Sequence, residues 1–395
     1  MTTAPVSSQP VPVSPSPRRG VTETAHARAH FTPASKELLP EAVLGARIGR
    51  GTLAGALNDQ VRFRIDRTGT ADQWKLLPDS PAALAVVQSE AGPALLRQLE
   101  MGMRTTQGFE DRSVLKGFML PKDNEGVLAG RIFGAHELDP DFRRTIADTV
   151  ATEPERLGSV LRAYGEGLRS SIASAGAWNS GGWITYMPDM ARAVLTGANA
   201  YDPSNERADD ASITSYLARI HPHEVQHSIT PRTASVLDEA RWIEEGTADV
   251  LSNKPAFRTA NQRAAGLTVR QYERALEAPA AVDLGWKAYE RPVLPKAEGE
   301  AVKKMQSRRY GGGEKTLSGL LGLAGVDFRT TVGKQRAADL LQRQTMSRTP
   351  GVLAKAIIAE HGLEPKVYDR LRERIKVAVD LPDGVRGIAR EFGIS

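Results

Sequence analysis

The sequence predicts an α+β protein, mostly helical, with one small sheet and a disordered tail in front of it. Three observations lead there. Apolar residues recur at helical spacing through Leu157, Val160, Leu161, Tyr164 and Leu168, and again through much of the chain beyond residue 316. A few short stretches only, Val61–Asp66, Gly117–Leu120, Val127–Phe133 and Gly181–Met187, are rich in β-branched, aromatic or other large apolar residues next to turn signals. Residues 1–38 are dominated by Pro, Ser, Thr and Ala and hold almost nothing large and apolar to bury.

Taken in order, the chain divides into this tail (1–38), a mixed segment (39–135) and a larger domain (136–395). In the mixed segment Ala82–Val87 and Pro93–Leu99 read as helices, and Val61–Asp66, which alternates apolar and charged residues, as a half-buried strand. Gly117–Leu120 and Val127–Phe133 flank a Pro-Lys-Asp-Asn-Glu-Gly turn and read as a strand pair. Pro140 marks a helix start, and Asp139–Ser174 holds one or two helices. Gly181–Met187 is a strand between a Gly-Gly pair and Pro188. Asp202–Asp210 is a polar loop, with Asp210 or Ser212 available to cap the next helix. Further helices are expected over Thr268–Glu277, Thr316–Gly325, Lys334–Arg343, Val352–Glu360 and Val367–Val379. Arg291–Lys315, charged and ending near Gly-Gly-Gly, reads as a mobile loop.

Composition excludes several classes. With 41% hydrophobic and 25% charged residues, the chain of 395 can bury a sizeable core. No apolar run approaches the ~20 residues that cross a bilayer. Arg18-Arg19 is followed by no apolar segment, so neither an export signal nor an ordinary signal peptide is expected, and the expected location is cytoplasmic. The absence of cysteine excludes disulfides and thiolate metal sites. A net charge of +5 is spread along the chain, not gathered into the basic stripe of a nucleic-acid binder.

The chemistry is concentrated between residues 219 and 249. Three of the seven histidines fall in Arg219–Ser228. His223 and His227 are four apart, so a helix sets both imidazoles on one face, where they can share one metal ion. Glu224 comes directly after the first histidine and projects to the side, the position of a base that is not a ligand. His221 falls on another face. Pro222 either kinks the helix or opens a new one, and both options leave His223 and His227 a turn apart. Two histidines make an incomplete site. Seventeen residues separate His227 from Glu245, itself four before Asp249. Glu245 can supply the third ligand, and Asp249 can accept the other ring N–H of a ligand histidine. Glu244 is given no role.

The pair HEVQH and WIEEGTAD resembles the gluzincins, thermolysin-like zinc peptidases, over roughly residues 180–255. The resemblance implies a zincin-like catalytic domain over 136–395, with a small sheet above the histidine helix and a helical lower subdomain beneath. It implies Zn²⁺ held by His223, His227 and Glu245, with Glu224 as general base. A tyrosine beyond the glutamate helix would steady the oxyanion, Tyr310 in first place and Tyr289 in second. It further implies a sheet edge, here Gly181–Met187, that pairs with extended substrate. The expected partner is a peptide or protein substrate; the oligomeric state is left open. Two other readings stand beside a zinc metallopeptidase. One is a structural or injected component of a phage or contractile particle, and the other a peptide-binding zincin without catalysis. An intact Glu224 argues against both, since a structural metal needs no base beside it.

Overall fold

A computed structural model describes residues 39–69, 73–104, 115–166, 172–173, 175–180, 182–196, 223–224, 227, 241–253, 282, 284–287, 289–347 and 350–394. The described residues are mostly helical with one mixed sheet, the α+β class expected. The tail 1–38, the polar loop 202–210, Ser212, His221, Pro222 and the expected helix 268–277 lie outside the described residues.

The sheet has five strands: β1 (Val61–Asp66), β2 (Lys75–Pro78), β3 (Gly117–Leu120), β4 (Ala177–Ser180) and β5 (Trp183–Tyr186). Their order is β2-β1-β3-β5-β4, antiparallel throughout except for the parallel pair β3/β5. Both faces are covered. Met119 and Trp183 point into a core with Leu53, Leu57, Ile132, Phe133 and Leu161. Phe63, Phe118, Ile184 and Tyr186 point the other way, onto Leu95, Leu99, Met190 and Val194. Strand alternation makes this division. Gly117 in the central strand has no substitute: a Cβ there would lie 2.0 Å from the Phe63 carbonyl oxygen and 2.5 Å from Trp183.

Two-sided cover corrects the reading of β1 as half-buried. Arg62 is fully buried. Its Nε donates to Asp79 Oδ2 at 2.6 Å, Nη2 to the Asp79 carbonyl at 2.7 Å and Nη1 to the Leu57 carbonyl at 3.3 Å. Burial lowers the guanidinium pKa, and Asp79 opposes that shift.

The expected strand over Val127–Phe133 is a helix, Asn124–Leu138, packed across β4 and β5. Asp123 caps it, its Oδ1 accepting from Gly126 N at 2.9 Å. Nearly every residue from 126 to 135 is buried, so the apolar run is continuous and has no helical period to read. The division expected between 135 and 136 falls inside this helix, and strands from both sides of it share the sheet. Asp139 then caps Pro140–Thr152, accepting from Asp141 N and Phe142 N, both at 3.0 Å. Leu157–Glu166 comes next, as expected.

A second, all-helical body holds Arg241–Asn253, Gly313–Leu323, Thr331–Ser347, Gly351–His361, Tyr368–Lys376 and Gly384–Glu391 around a core of Trp242, Leu317, Leu320, Leu341, Ile357, Leu371 and Ile388. The mobile loop expected over Arg291–Lys315 is largely helical: Lys296–Ser307 leads through a π-helical turn, Arg308–Gly312, into Gly313–Leu323. The last of the three glycines there, Gly313, serves approach. A Cβ on Gly313 would lie 3.0 Å from the Trp242 carbonyl oxygen, and one on Gly246 would lie 2.9 Å from the Gly313 carbonyl carbon. Two helices therefore touch backbone to backbone beside Glu245.

Candidate metal centre

His223, Glu224 and His227 are helical and buried, as the spacing requires. The sheet holds this helix through Asn179 of β4. Asn179 Nδ2 donates to the Glu224 carbonyl at 3.3 Å, while its Oδ1 accepts from Gly182 N at 3.2 Å. Gly182 has φ 82°, a left-handed turn that only glycine adopts freely. Ala177, Asn179, Ile184 and Tyr186 share this face, since Ala177 pairs with Tyr186 and Asn179 with Ile184.

The opposite wall is the helix Arg241–Asn253. Buried Trp242, Ile243 and Val250 root it in the helical core, and Trp242 Nε1 donates to the Lys376 carbonyl at 2.7 Å. Glu245 thereby meets both histidines. His223 Nε2 and His227 Nε2 are 3.0 Å apart, and Glu245 Oε2 lies 3.3 Å from the first and 3.1 Å from the second. The other ring nitrogens are also taken, His223 Nδ1 by Asp249 Oδ1 at 2.9 Å and His227 Nδ1 by Glu244 Oε1 at 3.1 Å.

These contacts determine the tautomers. Ionised carboxylates only accept, so in the neutral rings Asp249 and Glu244 keep the proton on Nδ1 and leave a lone pair on each Nε2. Two imidazole lone pairs and a carboxylate oxygen then converge within 3.3 Å of one another. Such a group repels itself unless it holds a cation. Tetrahedral zinc, with bonds of about 2.0–2.1 Å, separates its ligand atoms by about 3.3 Å, so the three donors fit a zinc-sized ion. Without one, protons serve instead. Burial works against charge on His223, but its hydrogen bonds to Asp249 and Glu245 outweigh burial and raise it to about 9. At His227 burial is likewise overcome, by Glu245 and Glu244, and the ring rises well above its ordinary value. Glu245, opposed by burial, is held well below the usual carboxylate range by the two imidazoles.

His223, His227 and Glu245 are thus brought together, and Asp249 meets the ring of one of the two histidines, His223. Glu244 is the residue that sequence reasoning missed. Which ring the neighbour of Glu245 touches depends on how two helices cross, and no local spacing encodes that. Tyr186 was missed too: it is fully buried, and burial first, then the charge of Glu224, push its phenol up. The backbone of Tyr310 lies in the π-helical turn, and its side chain is outside the described residues. Tyr289 donates to Asn124 Oδ1 at 2.6 Å, at the start of the Asn124–Leu138 helix, which commits it away from the cluster. The strand expected as the substrate edge, β5, is interior, paired with β3 and β4; β4 is the outer strand among the described residues. Strand order is a long-range property, invisible in the Gly181–Met187 pattern.

Comparison with known proteins finds no matching family model, no matching curated protein and no matching solved structure. No helix among the described residues is long and apolar enough to cross a membrane.

Proposed function

We propose that the chain is a zinc-dependent metallopeptidase of zincin-like architecture. The observation that carries this reading is the buried convergence of His223 Nε2, His227 Nε2 and Glu245 Oε2, with Glu224 on the same helix as the histidines. Bound zinc supplies Lewis acidity there: it acidifies water and polarises a carbonyl oxygen.

The chain's own residues do the rest. Glu224 accepts a proton from the attacking water and returns it to the leaving nitrogen. Asp249 and Glu244 fix the two imidazoles in the tautomer that directs Nε2 at the ion. Asn179 ties the Glu224 backbone to β4, so the base and the outer strand keep a fixed relation. An extended peptide pairing with β4 by main-chain hydrogen bonds then runs past Glu224 without a demand on its sequence. Tyr310, in the turn that leads into the helix packed on Glu245's own, is the proposed donor to the oxyanion.

Glu224→Gln tests the reading. The amide is nearly isosteric, so fold and zinc content persist while the base is gone. Hydrolysis of a cleavable peptide falls about 10²- to 10⁴-fold. Wild-type hydrolysis by Glu224→Gln, measured against a zinc-loaded control, sinks the proposal.

A further inference from the structure

Among the described residues, three buried polar atoms on the sheet face away from the histidines lack a hydrogen-bond partner: Arg131 Nε, Trp178 Nε1 and Thr185 Oγ1. They form one group. Trp178 of β4 and Thr185 of β5 are directly opposed in the antiparallel register, and the Arg131 guanidinium lies 5.2 Å from the centre of the Trp178 ring. Strand alternation sends Trp178 to this face and Asn179, its neighbour, toward Glu224. Gly130 explains how Arg131 reaches the outer strand. A Cβ on Gly130 would sit 2.9 Å from Met119 Sδ and 3.2 Å from Thr185 Oγ1, so the helix rides directly on the sheet. No carboxylate among the described residues pairs with Arg131.

We propose that Arg131 and Trp178 form a subsite for a carboxylate of a peptide lying along β4. The inference rests on the reading of β4 as the edge that takes substrate. A peptide added there as a strand alternates its side chains between faces, and the residue opposite Trp178 shares the face of Trp178. That residue stands beside two N–H donors, Arg131 Nε and Trp178 Nε1, while the Thr185 hydroxyl lies one strand further in, under Gly130. A carboxylate supplies acceptor oxygens for these donors and the charge that matches the guanidinium. The guanidinium lies over the indole, and its planar fork suits a planar partner better than an ammonium would. The carboxylate can belong to an Asp or Glu side chain or to the peptide's C-terminus.

Fluorescence anisotropy on the full chain separates these. The probes are short rhodamine-labelled Ala/Thr peptides carrying one Glu or one Gln, each with a free or an amidated C-terminus. The Glu peptide binds about tenfold more tightly than its Gln twin, the gain of a charge-assisted contact over a neutral one. Arg131→Gln makes the two equal without weakening the Gln peptide, and Arg131→Lys keeps part of the preference. If the preference tracks the free C-terminus instead of Glu, the subsite takes the chain end. Equal affinity for all four peptides on the wild-type chain overturns the proposal, with no variant needed. So does a preference that survives Arg131→Gln, or the absence of any peptide binding. A chain that binds with this preference but cleaves none of the peptides keeps the subsite and counts against the metallopeptidase reading; cleavage without charge preference does the reverse.

Discussion

Glu244 Oε1 lies 3.1 Å from His227 Nδ1, the ring nitrogen opposite the one that faces Glu245. Adjacent glutamates on one helix thus hold the two sides of a single imidazole. Glu244→Ala is expected to weaken zinc by about 10- to 100-fold, as loss of a histidine's outer partner does elsewhere, and Asp249→Ala to do the same through His223. Glu245→Ala should cost far more, because it removes a proposed ligand. Competition against a chelator of known affinity ranks the three. Equal losses for Glu244→Ala and Glu245→Ala would remove the distinction between ligand and support.

The raised histidines set the pH dependence of the metal-free chain. His223 is held near 9 when folded, against an ordinary value of 6.5. A group raised on folding stabilises fully below its unfolded pKa and loses that contribution as pH climbs through the folded one. In chelator, the melting temperature should therefore fall between pH 6.5 and about 9, by a loss on the order of 3 kcal/mol. Zinc competes with those protons, so its affinity should rise over the same window. A metal-free melting temperature that rises from pH 6.5 to 9 contradicts the cluster's charge state.

Away from the cluster, the buried Arg62–Asp79 pair makes a stability prediction. Both side chains are fully buried. Removing one leaves a charge without its partner, which costs about 3–5 kcal/mol, whereas replacing both with apolar residues is close to neutral. Urea unfolding should rank Asp79→Ala well below the double variant Arg62→Met/Asp79→Leu. The opposite order would mean that the pair contributes little.

Gly246 couples backbone packing to the cluster. A methyl there would lie 2.9 Å from the Gly313 carbonyl carbon, so Gly246→Ala must push the two helices apart. Overpacking of this kind costs about 1–3 kcal/mol. Since Glu245 is the preceding residue, zinc affinity should fall as well, with every ligand intact. Unaltered affinity in a folded Gly246→Ala chain would show that Glu245 adapts to the shift.

How much was legible depended on range. HEVQH and the Glu245/Asp249 pair were readable because an i, i+4 relation is fixed by the helix itself. The α+β class was legible in the helical periods and in short strands such as Val61–Asp66. Val127–Phe133 misled because a helix buried almost all round has no polar face to give the period. Arg308–Gly313 misled because three glycines signal a turn, when here the chain stays helical and Gly313 admits the backbone of Trp242. The interior place of β5 and the reach of Glu244 to His227 are set by pairings between distant segments.

The hydrogen bond from Trp242 Nε1 to the Lys376 carbonyl spans 134 residues. It imposes an order of events during synthesis. Both histidines and Glu245 leave the ribosome well before the helices that seat the glutamate exist. At roughly 5–20 residues per second, the delay between Glu245 and Lys376 is on the order of ten seconds. For that interval the nascent chain carries the donor residues without the scaffold that brings them within 3.3 Å. Assembly of the proposed ion site is thereby postponed until the later helices have folded around Trp242, and a chain stalled before them displays the motif but lacks the cluster.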